Sequence, residues 1–252
     1  MNQIDLGRAL KAFFDDKEWI TKTLWGFLWI LLGVTAPAAY GAQVDYIKDV
    51  SEGTETLPLW DDFGGKWVKG LLVMVAGFIY FLPVVVVALI LFVPAAIAAI
   101  GGNGSDSLGA LFAGGACFFG LFATIYVIVM SVLFSSAVVN FAMKGNFGAL
   151  FEFGEIMGKV RGGTGYFNAW LWSLVISLIG GTVSGAVAST VVGGILSPAI
   201  AYFMLMASGH VFGQWAAVAY GRSSVSPGTT PPPTGYSIPA PPAPPAPPAP
   251  FS

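Results

Sequence analysis

Four long apolar stretches, joined in pairs by turns that carry no Lys or Arg, constrain this chain more than any other feature. Gly70 to Ile100 and Leu108 to Phe141 are apolar runs separated by Gly101-Gly102-Asn103-Gly104-Ser105-Asp106-Ser107. Phe167 to Tyr220 holds two more, with a turn between Gly185 and Gly194. Segments of this length fit a hydrocarbon layer of ~30 Å, and in lipid only helices and closed barrels satisfy their own backbone. The pattern predicts an all-α integral membrane protein built on two long helical hairpins. At ~1.5 Å per residue the first two runs exceed the bilayer core, so they must tilt, kink or protrude, with Pro83 and Pro94 as kink positions.

Composition agrees. The chain is 56% hydrophobic and 10% charged, too few charges to clothe a soluble globule, so the lipid bilayer is its solvent. A net charge of −2 gives no basic footprint for nucleic acid. Cys117, the single cysteine, lies in an apolar run, where burial is expected to leave it unreactive.

The N-terminal part reads in two ways. Leu6, Leu10, Phe13 and Phe14 fall together at helical spacing within residues 6 to 20, which predicts an amphipathic helix on the membrane surface. Leu24 to Val44 follows and is long enough to cross. Ala36-Pro37-Ala38 resembles a cleavage site, but the bases Arg8, Lys11, Lys17 and Lys22 are matched by Asp5, Asp15, Asp16 and Glu18, unlike a signal peptide. If Leu24 to Val44 spans, there are five crossings and the bases divide 4 to 7; if it bends near Gly33 to Pro37 and returns, there are four crossings and all 11 bases share one side. Positive-inside asymmetry favours the second arrangement, and both place the C-terminus in the cytoplasm.

Residues 146 to 161 read as a short interfacial helix, with Phe147, Leu150, Phe151 and Gly154 on one face. Glu152, Glu155 and Lys159 lie on the other, Glu155 and Lys159 at i,i+4 spacing. Gly181, Gly185, Ser189 and Gly193 repeat every fourth position, as do Ala110 with Gly114 and Ala113 with Cys117. Such stripes let helix backbones approach closely, provided no turn interrupts them. The chain divides into a membrane domain, 1–221, and a Pro/Ala-rich tail, 222–252, which holds 12 of the 17 prolines and reads as a disordered polyproline-type spacer.

Two motifs carry what chemistry there is. In Leu57-Pro58-Leu59-Trp60-Asp61-Asp62-Phe63-Gly64, the paired carboxylates make an incomplete shell for a hard cation, so one of them is expected to cap the next helix. Trp60, Phe63 and Trp67 would seat the loop at the headgroups. His210 and Gln214 lie one helical turn apart, as interhelical glue or as part of a solute path. Neither motif calls for a metal or cofactor, and with one histidine and one cysteine no hydrolytic apparatus is visible.

The stretch LPLWDDFGGKWVKGL at 57 to 71, followed by Tyr80-Phe81-Leu82-Pro83, resembles the signature of a family of prokaryotic membrane proteins called domain of unknown function 4013. FFDDKEWITKTLWG at 13 to 26, Phe141 to Glu155, and Gly209-His210 with Gly213-Gln214 are similar to its other landmarks. The resemblance implies a multi-helix domain of the prokaryotic cytoplasmic membrane, without an established activity or catalytic residues to carry over.

The expected function is a non-enzymatic scaffold or accessory subunit, held in a membrane assembly with a protein partner or as a homo-oligomer. The alternative is a carrier or channel for a small or lipophilic solute, which needs a sealed polar path between the hairpins. A cysteine at position 2 in a Cys117→Ser background, labelled from outside intact cells, distinguishes the topologies: it reacts if there are five crossings and is protected if there are four.

Overall fold

The computed structural model describes residues 4–100, 106–163 and 165–221. The tail and the 101–105 turn lie outside the described residues, which form eight α-helices and one 3-10 helix, with no strand among them. The helices are α1 (Leu6–Asp15), α2 (Trp19–Leu31), α3 (Pro37–Ser51), α4 (Phe63–Ile100), α5 (Asp106–Lys144), α6 (Phe153–Arg161), α7 (Tyr166–Ala188) and α8 (Val191–Ala219). Four of these, α4, α5, α7 and α8, are long and apolar enough to cross a membrane.

Leu24 to Val44 is not a single helix. Gly33 takes φ +66, a left-handed conformation that ends helices and suits glycine, and Pro37 opens α3 where its missing N–H costs nothing. The chain therefore rises along the start of α4 and comes back. Trp60 donates its indole N–H to the Lys22 carbonyl (3.0 Å), and Trp67 donates to Val34 (3.0 Å), so α2 follows α4 inwards. After the turn, Pro37 lies against Gly70, Gly41 against Lys66, and Asp45 pairs with Lys69 (2.6 Å) and Lys66 (3.4 Å). The order is reversed, so α3 runs antiparallel to α4. The segment is a helical hairpin folded back along α4, and among the described residues four helices remain that are long and apolar enough to cross.

α3 is the wedge on which both long hairpins close. It packs against α4 and α8, with Ala38, Ala39 and Ala42 fully buried. Gly41 and Gly70 bring α3 and α4 together so closely that a methyl at either would overlap the other helix's backbone. On its other side Val50 and Ile47 sit on Gly213, and Gln43 on Gly209. The core lies at this end of the bundle, where Tyr46, Tyr166, Met206, Val211 and Trp215 are fully buried. α8 is the central helix: 44% of its apolar window is buried, against 6–11% for the other three.

The first hairpin is much the longer. α4 and α5 have 38 and 39 residues, about 57 Å of helix, whereas α7 has 23. Helix α4 continues through Pro83 and Pro94, and α8 through Pro198. α7 and α8 turn at Ser189–Thr190, where Thr190 caps α8 by accepting from Gly193 N (3.0 Å).

Several expectations are corrected. α1 ends at Asp15, short of the expected residue 20, and is anchored as well as amphipathic: Ala9, Ala12 and Phe13 are buried and the helix packs on α8, while Leu10 and Phe14 of the same apolar face stay exposed. Residues 146–161 split into a 3-10 turn, Phe147–Phe151, and α6. Glu155 bonds Lys144 instead of Lys159, because Lys159 donates to the Ala219 carbonyl (2.7 Å) and lies over the Tyr220 ring. Cys117 is exposed on α5 rather than buried.

The close α3–α4 contact sets a clear expectation. Gly70→Ala has no space for its methyl and should lower stability by about 1–3 kcal/mol, measured by thermal unfolding in detergent. Gly181→Ala, which meets nothing, should be neutral or slightly stabilising.

Candidate functional site

His210 is fully buried, and its polar surroundings come from parts of the chain far apart in sequence. Gln214, one turn on, accepts from Asp5 N (2.8 Å) and donates to Asp5 O (2.9 Å), pairing with the backbone just before α1. Its oxygen is thereby identified, so its NH2 group donates to His210 Nδ1 (3.0 Å). Nδ1 therefore accepts, and Nε2 faces a Glu55 carboxylate oxygen at 3.7 Å, beyond hydrogen-bond length, so that it acts on the carboxylate through electrostatic attraction. Glu55 also takes Arg8 of α1, while Tyr46 donates to its backbone carbonyl (3.1 Å).

This arrangement ties α1, the 52–62 loop and α8 into one polar cluster. The Glu55 carboxyl is held down at about 2: the facing His210 lowers it most, burial opposes, and Arg8 lowers it further. A second buried pair braces the neighbouring segment. Lys22 bonds Asp16 (2.8 Å) and the Leu57 carbonyl (2.9 Å), and Asp16 accepts from Leu57 N (2.8 Å). These contacts satisfy two charges that would be costly alone.

The acidic-aromatic loop is a cap and a clasp. Asp62 accepts from Gly65 N (2.9 Å) at the start of α4, and Asp61 lies 3.9 Å from Lys66. Trp60 and Phe63 both meet Trp29 of α2, and Trp60 also meets Tyr202, so these aromatics hold α2 against the start of α4 and against α8.

The small-residue stripe is interrupted. Gly181 and Gly185 face open space, Ser189 lies in the turn and Gly193 is on the next helix, so the turn interrupts it. Gly180 instead receives Met204 of α8. In α5, Gly114 also faces open space, and the side chains of Ala110 and Ala113 lie outside the described residues.

Between the hairpins the described residues form neither a sealed polar path nor a solid apolar core. A groove of about 340 Å³ has α3 as its floor, with Gln43, Ser135, Ser173 and Ser208 among the polar residues that line it. A second space of about 380 Å³ lies beside it, sharing Gln43 and Ser208 in its lining. Sequence spacing could not have found this site, since its polar groups come one or two at a time from α3, α5, α7 and α8.

Residues 24–189 match the family model described as Protein of unknown function (DUF4013). The match includes the 57–71 loop, but not residues 13–23 or Gly209 to Gln214, to which the resemblance extended. No curated protein matches the chain. No solved structure matches it either.

The Glu55 cluster should respond to acid. A carboxyl lowered in the folded chain means that the unfolded chain binds the proton first, so its contribution is complete above pH 4.5 and lost as pH falls towards 2. A fluorescent label on Lys11→Cys, in a Cys117→Ser background, should report weakening of α1 docking over that window. Glu55→Gln should flatten the response and cost roughly 1–2 kcal/mol at neutral pH, modest because the carboxylate is partly exposed.

Proposed function

The chain belongs to the DUF4013 family, and because that membership carries no activity, we propose from the geometry that it is a non-enzymatic scaffold or accessory subunit of a membrane assembly. The supporting observation is the way the two hairpins are mounted. They close on α3 at one end, while direct contact between them is slight. Beyond that end each hairpin presents its own apolar faces, including Phe78, Ile90 and Phe118 on the first and Leu178, Ile179 and Val192 on the second. Such separate helical rails suit lateral association with other membrane helices, where packing rather than water exclusion supplies the free energy.

In the orientation we propose, the charged end with α1, α3 and α6 faces the cytoplasm of a prokaryotic cell, which puts all 11 bases on one side and projects the 222–252 tail into the cytoplasm.

Gentle extraction of the tagged full-length protein, followed by native mass spectrometry, tests the scaffold reading. A fixed-ratio protein partner or a defined homo-oligomer is expected. A monomer without protein partners at every mild condition would overturn it.

A further inference from the structure

The groove between the hairpins has a composition that neither packing nor assembly requires. Its walls are apolar, from Val73 and Met74 of α4, Phe134 and Val138 of α5, and Phe212 of α8. Its polar groups retain unused hydrogen-bonding capacity. Ser173 and Ser208 bond one another, and since one hydroxyl donates to the other, one hydrogen remains to be donated. Gln43 spends one N–H on the Leu205 carbonyl (3.1 Å), leaving its oxygen and a second N–H. Polar groups at the edge of hydrocarbon are costly without partners.

The lining also limits what can enter. Access is from the bilayer, because the groove lies between two lipid-facing hairpins and both Tyr40 and Met74 of its lining are exposed. No cationic or anionic side chain lines either space, so nothing there neutralises a phosphate. The volume is within the range of small-molecule sites. The second space adds Ser177 and Ser184 along α7, continuing a polar edge beside the apolar Ala201 and Met204.

The geometry points to a binding site for one uncharged, hydroxyl-bearing glycerolipid, its head on Gln43, Ser173 and Ser208 and its chains against Val73, Met74 and Phe212. Diacylglycerol is the simplest member of that class. Its free hydroxyl can accept from the serine pair and donate to Gln43, and its ester carbonyls can accept the remaining amide hydrogen. The site does not depend on the scaffold reading, and a monomer could hold it equally well.

The test uses the full-length chain in phosphatidylcholine nanodiscs doped with a photoactivatable diacylglycerol, with cross-linked peptides mapped by mass spectrometry. Labelling should concentrate on the α3, α4 and α8 segments that line the groove and be competed by diacylglycerol but not by phosphatidylglycerol. Gln43→Leu and Ser208→Ala should weaken competition by roughly threefold for each hydrogen bond removed. Met74→Trp, which fills the groove from an exposed position, should abolish the localised labelling without changing thermal unfolding. Labelling spread evenly over lipid-facing helices, equal competition by phosphatidylglycerol, or labelling unchanged by Met74→Trp would overturn the assignment.

Discussion

The near-contact of two backbones, α3 at Gly41 and α4 at Gly70, holds the rest of the structure in place. Without side chains at those positions the helices approach until each backbone lies where a methyl of the other would be. That approach puts Asp45 between Lys66 and Lys69, and lets the other face of α3 reach Gly209 and Gly213 of α8. The two hairpins share little direct contact, so α3 is the element through which they are joined. In lipid, where burying apolar surface gains little, such close packing is the principal source of cohesion available to the bundle.

The second consequence is a division of labour along the long helices. At the α3 end, α1, α2 and α6 surround a core of buried aromatics, and every described base from Arg8 to Arg161 belongs to this end. Towards the hairpin turns the helices are clothed in Phe, Leu, Ile and Val exposed to lipid. The groove occupies the junction, where packed interior gives way to open bilayer. A cavity with a polar floor is tolerable there because α3 encloses it from one side and amphipathic molecules can reach it from the other.

Much of the frame was legible from residue pattern because it follows from local rules. Four apolar helices, a turn between Gly185 and Gly194, a helix cap from one of Asp61 and Asp62, and the shared face of His210 and Gln214 all depend on residues within a few positions of one another. The bend near Gly33 to Pro37 was also marked by its glycine and proline, and the placing of the bases favoured a returning segment, but the backbone contacts of α3 with α4 that hold it were not visible in the residue pattern. The partners of the His210 pair were equally hidden, since Asp5 and Gln214 are 209 positions apart and Glu55 comes from a loop. Glycine spacing misled in the second hairpin, because Gly180 faces Met204 whereas Gly181 faces open space. Glu155 and Lys159 had the right spacing for a pair, but tertiary partners took both ends.

A depth profile of the re-entrant segment tests this organisation most directly. Nitroxide labels placed one at a time from position 24 to 51 in the liposome-reconstituted full-length chain would be read by their relative accessibility to oxygen and to a water-soluble nickel complex. Depth should increase along α2, peak at residues 32–36 and decrease again along α3 towards Ser51. Depth that passes through the membrane centre and emerges on the opposite side would contradict it, and would make the segment a fifth crossing.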